Sequence, residues 1–235
     1  GLRSFWIMAG ALDCQALKIK KLSYQGPFGV GYGLVSFVVK REDLKRNFGM
    51  RYEIARRRSL DDIKSAEDAY VRLARESVEK FVVTGQYAAI PEDLPEEMDG
   101  RAGVFVSLKK DGELRGCIGT FQPAQKNIAE EILYNAVSAA IHDPRFSPLK
   151  DDELPDIVYS VDVLAEPELI NDAAKDLDPK RYGVIVESRG RKGLLLPDLE
   201  GVDTADEQLK IARKKGGIPD DAPIRIWRFE VERHH

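Results

Sequence analysis

The chain has 235 residues, of which 43% are hydrophobic and 32% are charged, a composition typical of globular proteins and not of fibrous or disordered ones. The 36 basic and 40 acidic side chains give a net charge of −4, so neither nucleic acid nor an anionic membrane is an expected partner. No stretch approaches the ~20 apolar residues that span a bilayer, and the N-terminus lacks the features of a signal peptide. Cys14 and Cys117 form no CxxC pair, which predicts reduced thiols in a cytoplasmic protein. No metal site is expected, because only His142, His234 and His235 could join the cysteines.

The first 64 residues differ in pattern from the remainder. Residues 1–39 hold two apolar runs, FWIMA from Phe5 and LVSFVV from Leu34, and both predict short buried strands. Residues 40–64 are charged with few apolar positions, which predicts a partly helical linker. The second unit would then cover residues 65–235.

Three helices are predicted in that second unit from apolar side chains at three- and four-residue steps. The expected N-caps, each with a polar partner three residues on, are Ser65 with Asp68, Asn127 with Glu130, and Thr204 with Glu207. The expected ends are Gly85, His142 ahead of Pro144, and Lys214–Gly217. Local sequence signals therefore predict both ends of all three helices.

Strands are predicted between the helices. They are residues 104–108 and 113–118 as a hairpin, 158–164, 182–187 and 194–196 as a second hairpin, and 224–232. The acidic run at residues 151–153 is interpreted as a solvated turn. Hairpins interrupted by helices predict an α+β fold with a largely antiparallel sheet flanked by helices.

The segment LRGCIG, residues 114–119, is the strongest candidate for chemistry. Gly116 and Gly119 lack side chains and permit close approach of a ligand or another backbone. On a regular strand Arg115 and Cys117 share one face. The Arg115 fork suits carboxylate or phosphate, and a cation beside a thiol raises the thiolate fraction. Cys117 is therefore a candidate nucleophile, and burial as a small hydrophobic residue is the alternative.

A second candidate segment is IHDPRF, just past the predicted second helix. His142 is the one histidine away from the C-terminus, so it is the one candidate imidazole base for Cys117. A capping or surface role is the alternative for His142, and a structural ion pair is the alternative for Asp143 and Arg145.

Five motifs in order carry a family resemblance: residues 103–108, GELRGCIGTF, NAVSAAIHDPRFSPL, ELPDIVYSVDVL and KGLLLPDLEGVDT. Together they resemble the AMMECR domain family over about residues 65–232. The resemblance implies an α+β fold with a large and a small subdomain, and a site in the cleft lined by LRGCIG. The residues that it places there are Arg115, Gly116, Cys117, Gly119, Asp143 and Arg145. It implies no reaction, because the family carries no assigned biochemical activity.

Residues 1–39 carry a different resemblance. AGALD and LSYQGPFGVGYGLVSF are similar to the C-terminal end of Memo-like proteins, relatives of the class III extradiol ring-cleavage dioxygenases of the LigB superfamily. The implied parent is an AmmeMemoRadiSam system protein with a Memo-like domain before the AMMECR domain, and with a radical SAM protein as its partner. Iron would belong to the missing part of that parent. Residues 1–60 contain no histidine, so no cofactor is expected in this fragment.

Three functions are compatible with these observations. The first is a binding module whose cleft holds a small anionic ligand or a partner. The second is a thiol-dependent enzyme with Cys117 as nucleophile. The third is an accessory part of a dioxygenase-like parent. The missing base for Cys117 favours the first, and a binding module would tolerate Cys117→Ser but not Arg115→Ala.

Overall fold

The computed structural model describes residues 2–26 and 31–235. These residues form two compact units, 1–62 and 63–235. Part of the stretch LSYQGPFGVGYGLVSF, residues 27–30, lies outside the described residues.

The first unit is a long β-hairpin, preceded by one helix and followed by another along the chain. Helix α1 is Leu2–Ala11, strand β1 is Gln15–Gln25, strand β2 is Tyr32–Glu42, and helix α2 is Phe48–Ala66. β1 and β2 pair antiparallel. The Asp13 carboxylate accepts hydrogen bonds from the backbone N–H groups of Cys14 at 3.0 Å and Phe48 at 2.8 Å. This one side chain therefore joins the turn before β1 to the start of α2.

One prediction in this unit is wrong. The FWIMA run is helical and not a strand, because a short apolar run fits either element and this one lies within ten helical residues. The helical part predicted within residues 40–64 is present as helix α2, which begins at Phe48. The LVSFVV run is confirmed as a strand, within β2.

The second unit contains four helices and eight strands among the described residues. They are α3 (Ala69–Thr84), β3 (Val104–Lys110), β4 (Glu113–Gly119), α4 (Ile128–Ile141), β5 (Ile157–Leu164), β6 (Glu168–Ile170), α5 (Ala173–Asp176), β7 (Gly183–Ser188), β8 (Arg191–Leu195), α6 (Ala205–Lys215), β9 (Arg225–Phe229) and β10 (Val231–His234).

The strands form two antiparallel sheets, which confirms the predicted α+β class. One has the order β10-β5-β3-β4 and the other β6-β9-β7-β8. α3 and α4 cover the face of the first sheet that carries Val104, Val106 and Leu108, all fully buried. α6 covers the second sheet with a smaller core that includes Val184 and Val186. A large and a small subdomain result.

The helix boundaries follow the predicted caps with one exception. Asn127 and Thr204 accept the backbone N–H of Glu130 at 2.9 Å and of Glu207 at 3.2 Å. Gly85 ends α3 with a φ of 71°. The exception is Ser65, because α2 runs through it to Ala66. Asp68 is the cap of α3 instead, accepting the N–H groups of Tyr70 and Val71 at 3.0 Å each.

The last predicted strand, residues 224–232, is in fact two strands in different sheets. β9 ends at Phe229 and β10 begins at Val231, so the chain passes between the sheets at Glu230. The Glu230 carbonyl accepts the N–H of Ala165, which lies on the outgoing connection between the same two sheets. Apolar side chains alternate through the break at Trp227, Phe229 and Val231, so periodicity gives no sign of it.

Among the described residues, no helix has both the length and the apolar character needed to cross a bilayer.

Candidate functional site

The LRGCIG segment forms β4, the edge strand of the first sheet. Alternate residues of an edge strand direct their N–H and C=O away from the sheet, and Cys117 is one of these. Its N–H donates to Oδ2 of Asp143 at 2.9 Å, and its carbonyl accepts from Nη2 of Arg145 at 3.1 Å. The DPRF turn therefore covers the free edge of the strand with side chains where a further strand would otherwise pair.

Asp143 is the central acceptor of this contact. Its side chain is 2% exposed, and both oxygens bind Arg145: Nε at 2.9 Å and Nη2 at 2.6 Å. The Arg145 guanidinium, helped by the N–H groups of Cys117 and Arg145, holds the pKa of Asp143 far below its usual range. Asp143 is thus a fixed anion that orients Arg145 and the Cys117 backbone.

The Cys117 side chain lies on the opposite face of the sheet from the core. Cys117 pairs with Ser107 of β3 in the position where side chains approach most closely, and the Ser107 hydroxyl donates to Sγ at 3.2 Å. His142 is the exposed C-cap of α4, and its N–H donates to the Ser138 carbonyl at 2.8 Å. Within the described residues, no hydrogen bond joins the His142 ring to Cys117.

Gly116 and Gly119 are explained by packing against protein atoms. A Cβ at Gly116 would collide with the carbonyl oxygen of Ala139 in α4. A Cβ at Gly119 would collide with the ring of Phe105 and lie 2.6 Å from the carbonyl oxygen of Val104. Both glycines allow close approach, as predicted, and in both cases the neighbour is the protein itself.

Arg115 lies on the same strand as Cys117, and the carboxylate of Glu153 holds its side chain in place. Its Nη2 lies 2.9 Å and its Nε 3.1 Å from the two oxygens of Glu153, and its Nη1 donates to the Ser147 carbonyl at 3.0 Å. Lys110 Nζ also reaches Glu153, at 3.2 Å. Hydrogen bonding to Arg115 lowers the pKa of Glu153 to about 2.

These groups border a shallow polar cleft of about 420 Å³. Its lining residues are Lys110, Arg115, Phe146, Ser147, Lys150, Asp152 and Glu153. The structure thus brings Asp143 and Arg145 to the Cys117 backbone. Arg115 lines a cleft that includes neither Cys117 nor Asp143. The structure does not bring His142 to the thiol.

Two side chains that contact the candidate site are not indicated by the sequence. The acidic run at residues 151–153 is predicted as a solvated turn, but it begins the 3-10 helix Asp151–Asp156, and its Glu153 binds Arg115 from 38 residues away. Ser107 was not singled out, yet it is the hydrogen-bond partner of the thiol. The strand alternation could have indicated Ser107, because it shares the non-core face with Cys117. No local signal links Glu153 to Arg115.

Within the described residues, no group of three His, Cys, Asp or Glu side chains is arranged to hold a metal ion.

The fold and the signature define the class of protein: a two-sheet α+β domain whose LRGCIG edge strand is bound by a DPRF turn. The family model AMMECR1 matches residues 71–234, and the chain belongs to that family. A Thermotoga maritima protein is 53% identical over 72% of this chain and 98% of its own length. An uncharacterised protein from Pyrococcus horikoshii, PH0010, has a crystal structure with a TM-score of 0.64 and 34% identity, over 70% of this chain and 88% of that one.

One relative extends over the first unit as well. Protein CA_C1420 of Clostridium acetobutylicum is 47% identical over the whole of this chain. The chain spans half the length of that relative.

Proposed function

We propose that the AMMECR1 domain of this chain is a ligand-binding module that takes a small anion in the Arg115 cleft, with LRGCIG as its framework. The observation that carries this proposal is the guanidinium of Arg115, fixed in orientation at the cleft by two bonds to Glu153 and one to Ser147. These contacts use three of the five N–H donors of the guanidinium, and the two that remain, on Nη1 and Nη2, suit carboxylate or phosphate oxygens.

The charge around the cleft supports an anion. Three cations, Lys110, Arg115 and Lys150, face two carboxylates, Asp152 and Glu153. Glu153 is shared by Lys110 and Arg115, so it does not neutralise both. Among the described residues, no carboxylate forms an ion pair with the ammonium of Lys150. The lining therefore has one positive charge in excess, at a site open to solvent.

The alternative function, a thiol-dependent enzyme, has weaker support. A nucleophilic cysteine needs a base or a neighbouring positive group to form the thiolate. The Ser107 hydroxyl donates to Cys117 Sγ. The Arg145 guanidinium binds the Cys117 carbonyl and also interacts with the Cys117 side chain, which contributes to the raised pKa of Arg145. A cation therefore neighbours the thiol, and it is the base that the described residues do not bring to it. Cys117 is half-buried, so the thiol retains some access to solvent. That access is the observation that keeps this alternative testable.

A titration with inorganic phosphate, followed by two-dimensional NMR of backbone and arginine Nε signals, tests the binding function. We expect saturable shifts at Arg115 and around residues 146–153. Lys150→Gln should weaken binding about fivefold, as expected for loss of one partly exposed charge contact. Lys210→Gln, an exposed change on α6 outside the cleft, is the matched control. Equal weakening by both variants would show general charge attraction and refute the proposal.

The Cys117 alternative is tested separately by alkylation with Cys14→Ser as the background. Desolvation and nearby carboxylates raise the pKa of Cys14, so it is no reference for an ordinary thiol, and its removal leaves Cys117 as the one labelled site. Fast labelling of Cys117 at neutral pH would favour the enzyme, and labelling only after unfolding would exclude nucleophilic catalysis.

For the whole protein, we also propose that residues 1–39 complete a preceding Memo-like domain of a dioxygenase-like parent with a radical SAM partner. Two observations support it. The Clostridium relative matches this entire chain and is twice as long. The first unit also exposes many large apolar side chains, among them Phe5, Trp6, Ile19 and Tyr24.

Limited proteolysis of the full-length Clostridium protein tests the larger assembly. We expect the region that matches residues 1–62 to be protected there and cleaved readily in this fragment. We also expect iron to co-purify with the full-length protein. Equal cleavage in the two proteins would contradict a shared domain.

A further inference from the structure

A cavity lies between the two sheets of the second unit, and no residue of LRGCIG lines it. Its volume is about 570 Å³. One wall is the second sheet, with Ile185 and Glu187 on β7, Lys192 on β8 and Trp227 on β9. The opposite wall consists of residues 101–103 before β3 and residues 121–123 after β4, and residues 164–167 connect the two sheets. Cavities of this size at the junction of two subdomains commonly bind small molecules.

The wall at residues 121–123 is held in place by a buried carboxylate. Glu131 of α4 is 1% exposed. It accepts the Thr120 hydroxyl at 2.5 Å and the N–H groups of Ala124 and Gln125 at 2.8 Å each. Asn135, one turn further along α4, bonds the Val104 carbonyl at 3.0 Å. This network fixes both ends of the loop, so little conformational entropy of the loop would be lost when a ligand binds.

The other side of the same wall is equally constrained. A Cβ at Gly103 would lie 2.5 Å from the Thr120 carbonyl oxygen and 2.8 Å from the carbonyl carbon of Phe121. The Gly103 carbonyl accepts the N–H of Leu164 at 2.9 Å. Gly103 therefore packs the loop directly against the start of β3, and the connection between the sheets is tied to the same point.

The cavity combines aromatic surface with positive charge. Trp227 and Phe121 line it from opposite subdomains, and the ammonium of Lys192 lies 5.7 Å from the Phe121 ring centre. Among the described residues, no carboxylate forms an ion pair with Arg101. Its guanidinium makes one long bond, 3.5 Å, to the Pro123 carbonyl.

The two carboxylates of the lining, Glu187 and Glu166, form no ion pair with Arg101 among the described residues. Glu187 is paired with Arg225, outside the lining, at 2.7 Å and with Lys192 at 3.4 Å. Hydrogen bonding to Arg225 lowers the pKa of Glu187, so it stays ionised and occupied. Glu166 is exposed on the connection between the sheets. The lining as a whole is balanced, with two cations and two carboxylates, and Arg101 is its cation without a carboxylate partner.

We infer that this cavity is a second binding site, for a ligand with a planar aromatic ring that bears one acidic group. The ring would lie against Trp227 and Phe121, and the acidic group would meet the unpaired guanidinium of Arg101. The site is independent of the Arg115 cleft, since no lining residue is shared.

Two fluorescent probes with the same rings test this inference. They are 8-anilinonaphthalene-1-sulfonate, which is an anion, and N-phenyl-1-naphthylamine, which is neutral. The readout is the pair of indole N–H signals in the NMR spectrum of the full chain, because the chain has two tryptophans, Trp6 and Trp227. Trp6 is 64% exposed in the other unit and reports unspecific binding.

We expect the sulfonate to shift the Trp227 indole saturably and to leave Trp6 in place. The neutral probe should bind about tenfold more weakly, which is the loss expected for one charge-assisted hydrogen bond. Arg101→Gln should lower sulfonate affinity to the same extent and leave the neutral probe unchanged. Arg72→Gln, an exposed change on α3 away from the cavity, is the control.

A second variant guards against an indirect effect. Ala165 is exposed at the cavity, so Ala165→Phe should fill part of the cavity and block both probes, and it adds no third indole signal to the spectrum. Equal shifts of Trp6 and Trp227, or no shift of Trp227, would overturn the inference. Equal affinity of the two probes would contradict the claim that the ligand bears an acidic group. Phosphate binding at the Arg115 cleft would be unaffected by any of these results.

Discussion

The edge strands β4 and β8 each meet a following helix through a glycine, yet their surroundings differ. A Cβ on Gly116 would collide with the Ala139 carbonyl oxygen in α4, and one on Gly193 would collide with the Ala212 carbonyl oxygen in α6. The small subdomain thus uses the same close strand-to-helix contact without the LRGCIG sequence. This recurrence argues that Gly116 serves packing first, whatever the site binds.

What separates the two strands is the chemistry on either side of the glycine. In β4 the neighbours are Arg115 and Cys117. Arg115 binds Glu153, which is distant in the sequence, and the Cys117 backbone binds Asp143 and Arg145. In β8 the corresponding neighbours are Lys192, paired across the hairpin with Glu187, and the apolar Leu194. The large subdomain therefore carries long-range polar contacts exactly where the small one carries local or apolar ones.

The packing role of the two glycines can be broken directly. Gly116→Ala and Gly193→Ala should each cost about 3 kcal/mol of unfolding free energy, because the new methyl meets a backbone carbonyl and not a flexible side chain. Guanidinium-induced unfolding measures this. Gly112→Ala in the β3–β4 turn, where φ is 84° and the space is open, is the control and should cost only about 1 kcal/mol. Equal losses of stability at all three positions would show that the close contact with a helix carbonyl does not determine the cost at Gly116 and Gly193.

The contacts of Asp143 and Arg145 with the backbone of β4 should show a pH signature, and among the described residues no carboxylate binds the backbone of β8 in the same way. Asp143→Asn removes a buried anion bound to Arg145 and should cost about 2 kcal/mol at neutral pH, with allowance for the half-exposed arginine. The folded pKa of Asp143 is lowered, so its contribution is complete above the unfolded pKa of about 4 and is lost as pH falls further.

Unfolding curves of wild type and Asp143→Asn between neutral and strongly acidic pH test this sign. The two stabilities should converge on acidification. Asp220→Asn, an exposed change in a loop, should stay within about 0.5 kcal/mol of wild type throughout. A gap between wild type and Asp143→Asn that persists at low pH would mean that shape, and not charge, accounts for the contact.

The same comparison shows what a sequence can predict. Caps such as Asn127 and Thr204 act within three residues, and the structure confirms both. The bonds that distinguish β4 span 26 residues to Asp143 and 38 residues to Glu153, and no local pattern encodes them. The five ordered motifs carried the family, and through it the two subdomains, more reliably than periodicity did.

Periodicity failed where two structures satisfy one pattern. Residues 224–232 alternate as a single strand would, but Glu230 marks the passage from one sheet to the other. The apolar run at Phe5 is equally compatible with a strand and with the helix α1 that forms. The Trp227 cavity could not be predicted for a different reason, since its walls come from six segments that are separate in the sequence.

The ion pair at Arg115 sharpens the contrast with Lys192. Glu153→Gln should cost about 1.5 kcal/mol at neutral pH, because Arg115 and Lys110 lose a common anion. The pKa of Glu153 is lowered to about 2, so the difference from wild type should shrink below pH ~4.5 and vanish near its folded pKa. Glu187→Gln on β7 is the matched variant and should have a smaller effect, because its cation partners, Lys192 and Arg225, are more exposed than Arg115. Equal effects of the two variants would mean that the distant contact adds nothing over the cross-strand one.

The smallest effect is expected where the two helices end. α4 ends at His142 and α6 at Gly216, and the His142 ring is exposed. His142→Ala should change stability by less than about 0.5 kcal/mol, since the capping bond uses the backbone N–H. In the Cys14→Ser background, His142→Ala should also leave the Cys117 alkylation rate within about twofold of the parent rate at each pH between ~6 and ~9. A rate that falls tenfold or more in His142→Ala would place the imidazole at the thiol in solution. Cys117 would then be a candidate nucleophile in a strand whose counterpart, β8, has only Leu194 at that position.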